Sequence, residues 1–389
     1  MFAVFGFARK LRLVSTGVIA ALTLAACEPI TVAGLGGPTV NTSAAVPVAL
    51  LVPQGGSTAG VSRSLENAAR LAASDLQGAQ IELTVYNTGG TSSGAAAAAQ
   101  QAVADGNKII LGPLFGDSAA AAGSAVSSRG INVLSFSNNT AIAGGNVFIL
   151  GNTFQNTANR LSSYAASQGR RDVAIIHAES PSEIIGRDAI ARSLGQNGMR
   201  LAASLSFPLS QNGVVAAMPG IADRVRTSGA TAVFLTSGND GAIPFLASLL
   251  PENGIDPSNI QLIGLQRLDI PSTALSLPGL QGAWLATPDP NLQAQFNSRY
   301  FATYGSNPHP LAGLAYDGVA AIGALVSAGD SNALTGGALT RSSGFAGVNG
   351  VFRFNRNGTN SRGLAVAQIR SGQVVIIDPA PRSFGGPGF

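Results

Sequence analysis

The chain has 389 residues, a formal net charge of +4 and one cysteine, so a disulfide or a cysteine-based structural zinc site is excluded. Three of its 23 basic residues fall in the first 26 positions, and the remaining 20 nearly balance the 19 acidic residues. The charge therefore gives no support for a nucleic-acid partner. The length exceeds what a single core usually spans, which predicts two lobes.

The amino-terminal segment predicts a lipoprotein signal peptide over residues 1–26. Its only charges are basic and precede an apolar run, residues 13–26, that is shorter than the about 20 residues needed to span a bilayer. The run ends in Leu-Ala-Ala followed by Cys27, which is typical of a bacterial lipobox. We therefore expect acyl chains on Cys27, with an ordinary secretory signal as the alternative. Residues 27–45, rich in small residues, Gly and Pro, predict a flexible tether.

Two long runs of alternating strand and helix signals follow the tether. In the first run, short apolar segments alternate with helical apolar stripes up to about residue 150, and the alternation then repeats. Predicted strands lie at 46–52, 81–87, 108–114, 131–137, 172–178, 199–207, 231–238 and 259–264, and predicted helices at 62–76, 95–106, 117–130, 156–169, 183–198, 218–229 and 241–254. Such alternation indicates an α/β protein with parallel sheets and right-handed crossovers.

The last hundred residues predict a return between the lobes. Residues 291–328 have two helical patterns, and residues 350–377 read as three β segments. We expect two doubly wound parallel-sheet lobes joined by a hinge. The first would comprise residues 46–150 and about 290–335, and the second residues 151–289 and about 340–380.

Ligands of open α/β sheets bind beyond the carboxyl ends of the strands. The loops at those ends carry Ser, Asn, Gln and Asp side chains, including Gln54, and no metal-ligand cluster. The sequence therefore predicts a cleft between the lobes that binds a small polar ligand, without a metal or cofactor.

One motif favours catalysis at first sight. Residues 90–94, GTSSG, match the G-x-S-x-G nucleophile motif between a strand and a helix. The only histidines are His177 and His309, and no oxyanion-hole segment accompanies the motif. In a chain this rich in Gly and Ser, a plain strand–helix turn is the better interpretation, and we expect no enzymatic activity.

Four stretches together resemble one protein family. ILGPLFGDSAAAAG and INVLSFSNNT are similar to ligand-binding loops of type I periplasmic binding proteins, in the branched-chain amino-acid-binding branch. FNSRYFATYGSNPHPLAGLAYDGVAAI resembles the long helix pair of that family, and FAGVNGVFRFNRNGT its carboxyl-terminal signature. The resemblance covers roughly residues 46–378 and implies a two-lobed receptor that closes on its ligand.

The resemblance also implies ligand-binding positions. In that family, hydroxyl and amide groups of the first lobe bind the ligand carboxylate, and a glutamate of the second lobe binds its ammonium group. The matching positions in this sequence are Gly116, Asp117, Ser118, Ser137 and Asn139 in the first lobe and, in place of the glutamate, Gln266 in the second.

Two functions remain open at the level of the sequence. The first is a lipid-anchored receptor on the periplasmic face of the envelope that delivers an amino acid or similar ligand to an ABC-type importer. The second, suggested by the predicted anchor and by Gln266, resembles outer-membrane lipoproteins of this fold that activate a penicillin-binding peptidoglycan synthase. Glu28, directly after the predicted anchor, favours the outer membrane.

Overall fold

A computed structural model describes residues 36–255 and 257–385. The predicted signal peptide, Cys27 and the first part of the predicted tether lie outside the described residues. Within the described part of the chain, no helix is both long enough and apolar enough to cross a membrane.

The first lobe is built on a wholly parallel sheet of five strands, as the alternation predicted. The strand order is β2-β1-β3-β4-β5. The strands are β1 (Val46–Val52), β2 (Ile81–Asn87), β3 (Ile109–Leu111), β4 (Val133–Ser135) and β5 (Val147–Ile149), and the intervening helices are α1 (Ala59–Asp75), α2 (Ser92–Ala104) and α3 (Gly116–Val126). Alternate residues of β1 face opposite layers: Val48 and Leu50 pack toward α1, and Ala49 and Leu51 toward α2 and α3.

The second lobe contains a seven-stranded sheet in the order β15-β14-β10-β9-β8-β6-β7. Its strands are β6 (Asp172–Ala178), β7 (Arg200–Phe207), β8 (Ala232–Leu235), β9 (Gln261–Gly264), β10 (Trp284–Thr287), β14 (Ala365–Arg370) and β15 (Gln373–Asp378). Four helices cover its two faces: α4 (Phe154–Ser167), α5 (Pro181–Gln196), α6 (Gln211–Thr227) and α7 (Ile243–Glu252). The sheet is mixed rather than wholly parallel, because β14 pairs antiparallel with both β10 and β15.

The carboxyl-terminal quarter of the chain returns to the first lobe before it completes the second. Helices α8 (Pro290–Tyr304) and α9 (Ala312–Val326) pack into the first core, and a short helix, α10 (Gly336–Leu339), follows. A small antiparallel sheet, β11 (Phe345–Gly347), β12 (Gly350–Phe354) and β13 (Asn360–Arg362), places three Phe side chains in the same core. The predicted residue ranges of the two lobes stay a prediction. The Phe side chains of β11 and β12 pack in the core of the first lobe, whereas β14 and β15 are strands of the second sheet.

The chain thus passes between the lobes three times: after β5, before α8 and after β13. Polar side chains bind these crossings to one another. Asn360 donates hydrogen bonds to the carbonyl oxygens of Ile149 and Gly151, and Arg362 donates to Leu150 O. The third crossing is therefore fastened to the first, and we call this region the hinge.

Candidate functional site

A cavity of about 990 Å³ lies between the two lobes. Its walls are loops that follow the carboxyl ends of β3 and β4 in the first lobe and of β8 and β9 in the second. We call this cavity the cleft. Its position is the one expected for a ligand site in open α/β sheets. A second cavity, of about 710 Å³, lies against the start of α8 and receives no side chain from these loops.

The first-lobe wall of the cleft is formed at the start of α3. Gly116, its first residue, lines the cleft together with Ser137. A Cβ atom at Gly116 would lie 3.2 Å from Asn139 Nδ2 and 3.4 Å from Ser137 Oγ, so glycine permits a close approach here. Helix α3 has no side-chain N-cap, and its first-turn N–H groups are therefore available to an anion or a hydroxyl group.

Not every predicted first-lobe position faces the cleft. Asp117 is exposed and Ser118 is buried, because successive residues of a helix point in different directions. Neither is the N-cap of α3, which is Phe115. Asn139 is exposed and is not among the residues that line the cleft; it caps a short 3-10 turn by accepting a hydrogen bond from Ala141 N–H at 3.0 Å.

Gln54 also lies away from the cleft. Its side chain is exposed, and its backbone N–H donates to Asn87 Oδ1 at 2.9 Å. Of the predicted positions, Gly116, Ser137 and Gln266 line the cleft.

The second-lobe wall joins the loops after β8 and β9. Gln266 Nε2 donates to Thr236 O at 2.9 Å. Asn239 Nδ2 lies within hydrogen-bonding distance of three carbonyl oxygens of the next loop, those of Arg267, Leu268 and Ile270, at 3.3, 3.0 and 2.8 Å. Asn239 therefore holds the loop that carries Gln266 and Ile270 to the cleft.

A carboxylate that the motif comparison missed completes this wall. Asp240 lines the cleft and is exposed. Its Oδ1 atom and Gln266 Oε1 would lie 2.7 and 2.8 Å from a Cβ atom at Gly238, so the two side chains converge above that glycine. The sequence shows Asp240 only as an acidic residue in a loop at the carboxyl end of a strand. The fold is needed to show that its side chain meets that of Gln266.

Asp240 differs from the other charged side chains of the cleft. Arg267 binds Asp269 through two hydrogen bonds of 2.6 Å, and Arg362 forms an ion pair of 2.9 Å with Asp317. Within residues 36–255 and 257–385, Asp240 forms no ion pair. It therefore offers the cleft a negative charge that no side chain of the described chain neutralises.

A buried glutamate supports the same wall from beneath. Glu183, 7% exposed, accepts hydrogen bonds from Ala178 N–H at 2.6 Å, Thr236 Oγ1 at 2.8 Å and Ser237 Oγ at 2.8 Å. These bonds join the end of β6 and the start of α5 to the residues that precede Gly238. Glu183 is a positioning residue that the sequence patterns did not reveal.

The hinge end of the cleft is polar. Asn349, Arg362 and Gln293 line it, and Asp317 lies directly behind them with no exposed surface. Asn349 Nδ2 donates to Asp317 Oδ2 at 3.0 Å. Complete burial raises the pKa of Asp317 above its ordinary value, whereas Arg362 and Asn349 act in the opposite direction.

The two histidines lie in different environments. His309 lines the cleft and is exposed at its surface, its Nδ1 atom accepts a hydrogen bond from Leu311 N–H at 3.1 Å, and partial burial lowers its pKa. His177 is buried in the second lobe, with Nδ1 3.0 Å from Ala178 O. The GTSSG segment forms a strand–helix turn in which Thr91 caps α2 by accepting from Gly94 N–H at 3.0 Å.

Comparisons with known proteins agree with this geometry. The model of the family described as periplasmic binding protein matches residues 45–373. No curated protein matches the chain.

Solved structures share the fold at low sequence identity. A branched-chain amino-acid ABC transporter protein of Rhodospirillum rubrum is 21% identical, with a TM-score of 0.74 over 86% of this chain and 100% of its own. A substrate-binding protein of Desulfitobacterium hafniense in complex with Leu is 18% identical, with a TM-score of 0.64 over 86% of this chain and 100% of its own. A solute-binding protein of R. palustris in complex with benzoate is 15% identical, with a TM-score of 0.59 over 89% of this chain and 99% of its own.

Proposed function

Because the chain belongs to the periplasmic binding protein family, we propose that it is a solute-binding protein of an ABC-type importer, for a small polar ligand such as an amino acid. Membership of the family supports a ligand-binding role, and we propose that the chain is not an enzyme. We further propose that acyl chains on Cys27, which lies outside the described residues, hold the protein to an envelope membrane. The order of predicted elements and the four motif stretches are consistent with the family assignment.

The proposed class of ligand rests on one observation: one wall of the cleft suits a negatively charged group and the other wall suits a positively charged group. The first-lobe wall presents the uncapped start of α3 and Ser137, which suit a carboxylate. The second-lobe wall presents Asp240, which suits an ammonium group. A zwitterion such as an amino acid would bridge the lobes and stabilise their closed arrangement. Asp240 thus supplies the carboxylate that the glutamine at position 266 lacks.

Calorimetry tests this assignment. The mature chain carrying Cys27→Ser, which removes the acylated thiol, is titrated with a panel of amino acids. We expect micromolar binding that Asp240→Asn weakens about 10- to 100-fold, because a charged hydrogen bond contributes roughly 1.5–3 kcal/mol. Asp223→Asn, at an exposed carboxylate of α6 outside the cleft, is the matched control and retains wild-type affinity. Binding that is unaffected by Asp240→Asn would contradict the polarity assigned to the second-lobe wall.

A second candidate function, regulation of a penicillin-binding peptidoglycan synthase, is favoured by the apolar mouth of the cleft. Phe115, Ile270 and Leu311 line the cleft and are 41%, 41% and 37% exposed. Large exposed apolar side chains in one region mark protein-binding surfaces. If this function is the right one, no amino acid binds even at millimolar concentration, and the synthase co-purifies with the wild-type chain but not with a Phe115→Ser/Leu311→Ser variant.

A further inference from the structure

The cleft extends beyond the two walls that would bind a zwitterion. It continues to the hinge, where Gln293 of α8, Asn349 of the β11–β12 turn and Arg362 of β13 line the same cavity. At about 990 Å³, its volume is near the upper end of the range of about 300–1,000 Å³ typical of small-molecule sites. A ligand held between Gly116 and Asp240 therefore leaves room toward the hinge.

The hinge end is polar but has no net charge. Arg362 is neutralised by Asp317 at 2.9 Å, and neither Gln293 nor Asn349 carries a charge. A second charged group of a ligand would find no counter-charge there, and its desolvation would be uncompensated. An uncharged polar group is the kind of group that this end of the cleft can accept.

The hydrogen-bonding capacity of the hinge end matches an amide. Gln293 Nε2 donates to Asn349 Oδ1 at 3.4 Å, and Asn349 is 8% exposed. The Gln293 amide carries a second N–H and a carbonyl oxygen, so it can both donate to and accept from a ligand. The Asn349 amide is fixed by Asp317, and it in turn orients Gln293. A primary or peptide amide has the complementary donor and acceptor.

We propose that the hinge end of the cleft is a second ligand subsite, centred on Gln293 and Asn349, that receives an amide group. The preferred ligands are then amino acids with an amide-bearing side chain, or dipeptides, rather than purely aliphatic amino acids. This inference rests on the proposed function, because it concerns the same cleft. It assigns Gln293 as a specificity-determining residue.

Binding of three probes tests the subsite: L-leucine, L-glutamine and alanyl-alanine, titrated into the mature Cys27→Ser chain. We expect glutamine or the dipeptide to bind about tenfold more tightly than leucine, as one or two neutral hydrogen bonds allow. Gln293→Leu should abolish this preference, measured as the ratio of the dissociation constants of leucine and the better amide-bearing probe. Gln295→Leu makes the same change two residues farther along α8, outside the cleft, and should preserve the preference.

The possible results separate the subsite from the function on which it rests. The proposed amide subsite is overturned if leucine binds as tightly as both amide-bearing probes, or if Gln293→Leu leaves the preference unchanged. Neither result contradicts the proposed solute-binding function. Failure of all three probes to bind overturns the receptor function and the subsite together. A Gln293→Leu chain that melts like the wild type excludes misfolding as the cause of a lost preference, and one that melts lower is replaced by Gln293→Met.

Discussion

At the residue scale, the Nδ1 atom of His309 accepts a hydrogen bond, which it can do only while the imidazole is neutral. The donor is Leu311 N–H, and partial burial lowers the pKa of His309. Between the lowered value and the ordinary pKa of about 6.5, the unfolded chain binds a proton that the folded chain does not bind. The contribution of His309 to the unfolding free energy is therefore fully present above about pH 6.5. It is lost as the pH falls from there through the lowered pKa of the folded chain.

The prediction compares wild type with His309→Asn, whose amide oxygen can still accept a hydrogen bond but does not titrate. We expect the melting temperature of wild type, relative to that of the variant, to decrease between about pH 7.5 and about pH 5.5. His177 is present in both proteins, so its contribution cancels. A difference in melting temperature that is the same at both pH values would show that His309 does not titrate as proposed.

Individual site residues were only partly predictable from the sequence. The loops at the carboxyl ends of strands were identifiable, and Gly116, Ser137 and Gln266 line the cleft. The sequence could not show that α3 begins at Gly116, which turns Asp117 and Ser118 away from the cavity. Nor could it pair Asp240 with Gln266, because they lie on different loops and meet only through the order of β8 and β9 in the sheet.

At the scale of elements, an ion pair joins α9 to β13 beneath the cleft. The side chains of Asp317 and Arg362 are 0% and 2% exposed. Removing one partner leaves the other charge buried without compensation, so Arg362→Met should lower the unfolding free energy by roughly 3–5 kcal/mol. Asp317→Asn/Arg362→Met removes both charges and should cost less than the sum of the two single changes.

Urea unfolding of the three variants measures these free energies. Arg200→Met is the matched control, since the Arg200–Asp172 pair is exposed, at 56% and 38%, and such pairs contribute about 0–1 kcal/mol. Equal losses for Arg200→Met and Arg362→Met would mean that burial does not set the strength of the hinge pair. Additive single changes would mean that the two charges are not coupled.

Elements were predicted more completely than their boundaries and partners. The alternating apolar pattern predicts every strand of the first sheet except the three-residue β5, which is too short to show a period. The predicted strand at 131–137 contracts to β4, Val133–Ser135. On either side of it, Asn132 Nδ2 donates to Gly36 O and Phe136 N–H donates to Pro113 O, so these residues leave the ladder. Local patterns also could not show that β14 and β15 close the second sheet antiparallel, because pairing depends on contacts distant in sequence.

At the scale of the whole molecule, hydrogen bonds fix the first described residues to the first lobe. Val40 N–H donates to Ser331 O at 2.9 Å, and Asn132 Nδ2 donates to Gly36 O at 3.2 Å and to Leu334 O at 2.7 Å. Asn132 directly precedes β4, so this contact lies at the amino ends of the first-lobe strands. The cleft lies at their carboxyl ends. The described chain therefore begins, at Gly36, at the end of the first lobe opposite the cleft.

An anchor at Cys27 would then place the first lobe next to the membrane and the cleft away from it. Residues 27–35 can extend by at most about 30 Å, at roughly 3.3–3.6 Å per residue. With the acylated protein in vesicles, a fluorophore on Ala328→Cys, three residues before Ser331, should be quenched by a headgroup quencher more strongly than one on Asn212→Cys. Asn212 lies at the start of α6, on the side where the parallel strands of the second sheet have their carboxyl ends. Equal quenching would mean that the tether lets the lobes tumble, and stronger quenching at Asn212→Cys would place the cleft against the lipid.

The orientation of the protein on the membrane decides which partners can reach the cleft. A partner embedded in the anchoring membrane must extend past the first lobe, whereas a partner in the periplasm or the opposite membrane meets the cleft directly.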